Sequence, residues 1–163
     1  MIDANALAAI FANAKVLWVD DEHYMRKVVR TIYEAADGPA GIETIRSMAP
    51  DVVILDRGMP GLDGTSFVRM VRSPLTFPLP DVPIITLSGY GERTRVIEAI
   101  QAGINEFLLK PVSFKSLQDR LVSVLPNPPM VQTNDYYGPA PRKMAAGIHA
   151  DTDRALTNLV MLN

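Results

Sequence analysis

Short, mainly apolar runs alternate with segments of helical periodicity, and this alternation limits the fold more than any other feature. Four runs are predicted as strands, at residues 15–19, 51–55, 84–88 and 105–109. The segments between them place apolar residues three or four positions apart, the spacing of a helix with one buried face. Nearly continuous apolar strands are typical of a parallel sheet covered by helices on both faces. We therefore predict a doubly wound α/β domain over residues 15–125.

The regions that flank this domain have a different character. Residues 1–14 contain the pattern of one short amphipathic helix. Residues 126–150 are rich in proline, which favours an extended linker or arm. Residues 151–163 regain a helical apolar spacing and are predicted to form a short closing helix.

Composition removes several classes of function. The chain contains no cysteine, so disulfides, thiolate nucleophiles and cysteine-bound metals are excluded. The formal net charge of −2 gives no general attraction to nucleic acid. No apolar run reaches the ~20 residues that a membrane-spanning helix needs, and the first residues lack the basic stretch of a secretory signal. We expect a cytoplasmic protein that binds neither nucleic acid nor membranes.

Polar residues end the predicted strands or follow them directly. They are Asp20 and Asp21, Asp56, Ser88, and Lys110. In open α/β sheets ligands bind in the crevice outside the carboxyl ends of the strands. Separate connections therefore bring three carboxylates, a hydroxyl and an ammonium to one edge of the sheet.

Three carboxylates at one edge provide hard oxygen ligands, which suit Mg²⁺ or Mn²⁺. The ammonium of Lys110 and the hydroxyl of Ser88 could hold the other oxygens of a phosphoryl group bound there. Asp56 would then be the acceptor, because a carboxylate can form an aspartyl-phosphate. The metal and Lys110 would neutralise the charge that spreads over the phosphoryl oxygens during transfer.

Five short motifs lie in order at these strand ends. They are VDDE at 19–22, D-x-x-M-P-x-x-D-G at 56–64, Ser-Gly at 88–89, A-G-x-N-E-F at 102–107 and Lys-Pro at 110–111. Together they make residues 15–125 resemble a bacterial response-regulator receiver domain, of the single-domain, chemotaxis-regulator kind. The resemblance implies a flavodoxin-like receiver fold and a place in a two-component system.

The resemblance also implies the residues that handle the phosphoryl group. Asp56 is the implied phosphoacceptor, and Lys110 is the implied phosphate partner. The implied ligands of the magnesium ion, or of manganese in its place, are Asp20, Asp21, Asp56 and the backbone carbonyl of Gly58.

A switch is implied at two further positions. Ser88 is the implied switch hydroxyl, and Phe107 falls where the family places its switch aromatic. An apolar residue in a strand is as readily a core residue, so the sequence leaves both interpretations of Phe107 open. The family's Lys-Pro bond is typically cis, which a peptide bond before proline tolerates at modest cost.

The function implied is that of a phosphoacceptor signalling protein and not of an ordinary enzyme. A sensor histidine kinase or a histidine phosphotransferase would donate the phosphoryl group to Asp56 in the presence of Mg²⁺. Ser88 and Phe107 would then move and reshape the surface of residues 91–107 and the last helix. Signalling would continue through protein contact or a phosphorelay.

Two rival functions remain to be weighed. An aspartyl-phosphate hydrolase needs a second acid two residues after its nucleophile to protonate the leaving group, but Gly58 occupies that position. A pseudo-receiver, or a domain-swapped assembly module that does not cycle phosphate, is the second rival. The observation behind this second rival is an unusually short interval between Asp21 and Asp56.

That interval leaves little room for the expected helix and second strand. A helix that crosses a strand of about five residues must span ~17 Å, which takes about eleven residues. Such a helix from Glu22 would end near Tyr33, shortly before the turn at 37–39. The helix could shrink to two turns with 32–36 as an abbreviated edge strand, or the second strand could be lost. The third alternative, which we favour, is a continuous helix that exchanges elements with a second copy and so gives a homodimer.

Overall fold

A five-stranded parallel sheet forms the centre of the computed structural model, which describes residues 4–20, 31–59, 61–89 and 91–140. The strands are β1 (Lys15–Val19), β2 (Thr31–Ala35), β3 (Val52–Asp56), β4 (Ile84–Ser88) and β5 (Glu106–Leu109). Their spatial order is β2-β1-β3-β4-β5, and all neighbours run parallel. The predicted doubly wound fold is confirmed.

Helices connect or flank these strands at the places where the sequence predicts them. They are α1 (Ala4–Asn13), α2 (Gly38–Met48), α3 (Gly64–Val71), α4 (Arg93–Ala102) and α5 (Phe114–Val124). Gly103 ends α4 in the left-handed conformation, at φ +105°. Among the described residues, no helix has the length and apolar character needed to cross a membrane.

Two apolar layers lie on the two faces of the sheet, because successive side chains of a strand point in opposite directions. Leu17 and Val19 of β1 belong to the layer shared with α2, α3 and α4. Val16 and Trp18 of the same strand belong to the layer shared with α5. Phe11 of α1 packs into this second layer. Both faces are therefore covered, as the continuously apolar strands predict.

The start of α3 fixes the loop that follows β3. The Asp63 carboxylate is the N-cap and accepts hydrogen bonds from the backbone N–H groups of Thr65 and Ser66, at 2.9 and 3.2 Å. The Ser66 hydroxyl also donates to this carboxylate, and these bonds together lower the pKa of Asp63. The capped end explains why α3 begins at Gly64.

The expectation of a continuous, exchanged helix is wrong. Residues 31–35, where that helix would still run, form β2 instead. This strand pairs in parallel with β1 of the same chain, with Lys15 opposite Thr31 and Val19 opposite Ala35. The abbreviated edge strand is thus the correct alternative, and loss of the second strand is wrong as well. Residues 21–30, including the first part of the expected helix, lie outside the described residues. Because β2 pairs within its own chain, the reason for expecting an exchanged dimer is removed.

Residues 126–140 pack against the amino edge of the sheet. Strands β6 (Met130–Gln132) and β7 (Tyr137–Pro139) form an antiparallel hairpin. The Tyr137 hydroxyl donates a hydrogen bond to the Asp81 carboxylate, ahead of β4. A Cβ atom added to Gly103 would lie 2.9 Å from the carbonyl oxygen of Tyr137. The hairpin therefore touches the turn between α4 and β5. The predicted closing helix of 151–163 lies outside the described residues.

Candidate functional site

Asp56 is the last residue of β3, and β3 lies between β1 and β4. Its carboxylate is therefore near the middle of the carboxyl edge of the sheet. The residue is only 6% exposed. Its Oδ1 accepts a hydrogen bond from the backbone N–H of Gly58 at 3.0 Å, and its Oδ2 accepts one from Lys110 Nζ at 2.8 Å. Both carboxylate oxygens thus have defined partners.

Lys110 follows β5 and reaches across β4 to this carboxylate. Its backbone N–H donates to the Ser88 carbonyl at 2.8 Å, which continues the β4–β5 pairing by one residue. The peptide bond to Pro111 is cis, as the resemblance implies. Lys110 Nζ lies 2.8 Å from Asp56 Oδ2 and 3.9 Å from Asp20 Oδ2. The first contact is a charge-assisted hydrogen bond, and the second, longer contact is a charge interaction only.

Asp20 follows β1 and is held by the end of β2 and by a side chain of β1. Its backbone N–H donates to the Ala35 carbonyl at the end of β2, at 3.1 Å. Its Oδ2 accepts a hydrogen bond from Trp18 Nε1 at 3.3 Å. The residue is 8% exposed. The abbreviated β2 therefore still fixes the backbone of the first acidic residue.

The predicted metal ligands are brought together only in part among the described residues. Asp20 and Asp56 both lie within 4 Å of the Lys110 ammonium, but Asp21 is outside the described part of the chain. Within that part, no three potential metal-binding side chains form a group. A Cβ atom added to Gly58 would lie 3.6 Å from each oxygen of Asp56. Glycine thus leaves this side of the carboxylate open.

Ser88 and Phe107, the two predicted switch residues, lie on adjacent strands near this edge. Ser88 ends β4 and is 3% exposed. Phe107 is 5% exposed and pairs in register with Thr86 of β4. Its ring belongs to the apolar layer shared with α4. Phe107 is therefore a core residue in this structure, one of the two interpretations that the sequence left open.

Two residues next to the predicted site, Trp18 and Arg57, are not predicted from the sequence. Trp18 lies two positions before Asp20, so strand periodicity places the two side chains on the same side of β1. That spacing could have indicated the Trp18–Asp20 hydrogen bond. Arg57 directly follows Asp56 and contacts both α3 and α4. Its position next to Asp56 was the only indication in the sequence, because the contacts of a long side chain cannot be inferred from sequence alone.

The site can carry out nucleophilic chemistry on an anionic group. It offers a carboxylate oxygen as a nucleophile, with an ammonium and a backbone N–H beside it. A positive charge in this position stabilises the negative charge that develops on a transferred group. The low exposure of Asp56 strengthens such electrostatic interactions relative to those in water.

Comparison with known families decides the classification. The family model described as "Response regulator receiver domain" matches residues 16–122. The chain belongs to this family. The resemblance drawn from the five motifs is therefore confirmed.

Individual receiver proteins match the chain over the same region. Chemotaxis protein CheY-3 of Vibrio cholerae is 29% identical over 123 residues, which is 70% of this chain and 93% of that protein. The transcriptional regulatory protein CseB of Streptomyces coelicolor is 32% identical over 118 residues, 68% of this chain but 48% of CseB. The chain thus spans about half the length of some relatives and nearly all of others.

Solved structures of receivers share the fold. The Vibrio cholerae chemotaxis protein CheY4 has a TM-score of 0.60 and 30% identity, covering 69% of this chain and 99% of that one. The receiver domain of the Pseudomonas aeruginosa sensor histidine kinase PA1611 has a TM-score of 0.61 and 26% identity, covering 71% and 99%. That structure holds a magnesium ion coordinated in its active-site cleft.

Proposed function

We propose that this receiver accepts a phosphoryl group on Asp56 from a phosphorylated histidine, in the cytoplasm, and signals through protein contact or a phosphorelay. The observation that carries the proposal is the Asp56 carboxylate itself. It ends a central strand and is held by Lys110 Nζ at 2.8 Å and by the Gly58 N–H at 3.0 Å. The donor would be a sensor histidine kinase or a histidine phosphotransferase.

In the proposed transfer, a carboxylate oxygen of Asp56 forms a bond to phosphorus while the bond from phosphorus to the histidine nitrogen breaks. The histidine nitrogen leaves with the electron pair. Lys110 pairs with the carboxylate before the transfer and with the new phosphoryl oxygens after it. Its positive charge offsets the negative charge on the transferred group in both states.

The residues present fit a magnesium ion beside this carboxylate. Asp20 and Asp56 supply hard oxygen donors, and the open side at Gly58 leaves room next to Asp56. Asp21 and the Gly58 carbonyl would complete the protein ligands, and Mn²⁺ would suit the same donors. A bound ion would add positive charge next to the transferred phosphoryl group.

Strands β4 and β5 would transmit the effect of phosphorylation from the site to the surface. Ser88 lies at the end of β4, and its own carbonyl accepts the hydrogen bond from the Lys110 backbone N–H. Phe107 lies on β5, within the layer that α4 covers. A shift of Ser88 toward the phosphoryl group and a repacking of Phe107 would change the surface of residues 91–107 and α5.

Metal dependence tests this proposal. We expect acetyl phosphate to phosphorylate the protein with Mg²⁺ present, and a chelator to reduce the phosphorylated fraction at least tenfold, because the metal charge is lost. Asp20→Asn should require more Mg²⁺ for half-maximal phosphorylation, since one donor charge is removed. Intact mass spectrometry measures each fraction. Equal phosphorylation with and without chelator would contradict the metal role.

A further inference from the structure

Arg57 directly follows Asp56, and its side chain links this edge of the sheet to α3 and α4. Its backbone N–H donates to the Leu87 carbonyl at 3.0 Å, so its main chain is fixed to the end of β4. Its side chain is only 13% exposed. A Cβ atom added to Gly64 would lie 2.9 Å from Arg57 Cγ, which shows how closely the stem packs against the start of α3.

The guanidinium group of Arg57 contacts both α3 and α4. One terminal nitrogen donates to the Arg95 carbonyl in the first turn of α4, at 2.6 Å. The other donates to the Thr65 hydroxyl at 3.3 Å and lies 3.6 Å from Glu98 Oε2. Glu98 is half-exposed, so its ion pair alone is worth little. The planar fork adds a charge-assisted bond to a backbone carbonyl, which is stronger and directional.

A small gap lies beside this guanidinium. Arg57, Thr65, Val68, Thr86 and Ala99 line a narrow gap between α3, α4 and β4, too small to hold a water molecule. The Thr86 hydroxyl is buried there and has no hydrogen-bond partner among the described residues. A buried hydroxyl without a partner is costly, so another arrangement of these elements could satisfy it. Thr86 also pairs in register with Phe107.

We propose that Arg57 is a positioning residue that holds the first turns of α4 while Asp56 is unphosphorylated and releases them when the phosphoryl group forms. This inference rests on the proposed function. Phosphorylation adds negative charge one residue away, and this charge competes with Glu98 and the Arg95 carbonyl for the guanidinium. This competition weakens the contacts with α4.

Hydrogen exchange at the amides of residues 93–102 measures this release. In the wild type, we expect exchange to rise about tenfold when acetyl phosphate and Mg²⁺ phosphorylate Asp56, within the usual range of coupling between sites. Arg57→Met keeps the stem but removes the donors. It should show the raised exchange without phosphorylation and no further rise with it, at a phosphorylated fraction at least as high as that of the wild type, because the coupling between the two sites is reciprocal. Arg57→Lys keeps the charge and should retain part of the difference.

Arg93→Met is the matched control, because Arg93 is an exposed arginine on the same helix. It should respond to phosphorylation as the wild type does. If hydrogen exchange in Arg57→Met still rises on phosphorylation, Arg57 has only a structural role and the inference is overturned. A wild type that is phosphorylated without any change in α4 would overturn it as well. A wild type that takes no phosphoryl group would instead overturn the proposed function.

Discussion

Replacing Lys110 with methionine is expected to slow the phosphorylation of Asp56 by about 100-fold or more, the usual effect of losing one preorganised donor at a reacting group. Lys110 Nζ lies 2.8 Å from Asp56 Oδ2, and the methionine side chain has similar length but no charge. No ammonium from the protein would then offset the negative charge of the transferred group. The rate of mass gain with acetyl phosphate and Mg²⁺ measures the effect.

The control for this variant is Lys115→Met. Lys115 lies on α5, its side chain is 82% exposed, and it pairs with Asp119 one turn away at 3.2 Å. The removal of this surface charge should leave the rate within about twofold, because exposed ion pairs are weak and screened. A Lys110→Met rate close to that of the control would show that Lys110 has no part in the transfer.

Replacing Arg72 with methionine is expected to lower the free energy of unfolding by about 3 kcal/mol or more, because several buried acceptors lose their donor. Arg72 follows α3 and is 5% exposed. Its guanidinium donates to the carbonyls of Gly103 and Val82, each at 2.8 Å, and to Asn105 Oδ1 at 2.9 Å. A further bond reaches the carbonyl of Pro80.

Burial lowers the pKa of Arg72 to about 10, so the group still carries its charge at neutral pH. The Asp81 carboxylate lies close enough to favour that charge. Arg72 therefore ties the end of α3, the segment before β4 and the turn before β5 to one another. This cluster lies at the amino edge of the sheet, away from Asp56.

Urea unfolding of Arg72→Met beside Arg69→Met measures this contribution. Arg69 is exposed on the same helix, and its replacement should change the free energy of unfolding by less than about 0.5 kcal/mol. The folded fraction of Arg72→Met should still be phosphorylated, since the replaced side chain makes no contact with Asp56. A loss below about 1 kcal/mol would mean that water replaces the guanidinium at its acceptors.

The fold class could be predicted because the apolar pattern specifies it. Strands β1 and β4 have the predicted bounds, and β3 is shifted by one residue. Helix length does not predict β2, because a helix that spans the full strand needs about eleven residues at 1.5 Å each and would run past residue 31. Ten residues, 21–30, separate β1 and Asp20 from β2.

The candidate site could be predicted to the extent that topology determines it. The carboxyl ends of parallel strands meet, so Asp20, Asp56 and Lys110 had to be neighbours. The partners of Arg57 and Arg72 depend on the paths of long side chains across the fold, which local sequence does not specify. The contact between Tyr137 and Asp81 joins positions 56 residues apart and depends on where the hairpin packs.

The most direct test of the central claim is the intact mass of the protein after treatment with acetyl phosphate and Mg²⁺, wild type beside Asp56→Asn. Asparagine keeps the size of the side chain but cannot form the aspartyl-phosphate. We predict that the wild type gains one phosphoryl group and that the variant gains none. An equal gain in both proteins would place the phosphoryl group elsewhere. No gain in the folded wild type would favour a pseudo-receiver that does not cycle phosphate.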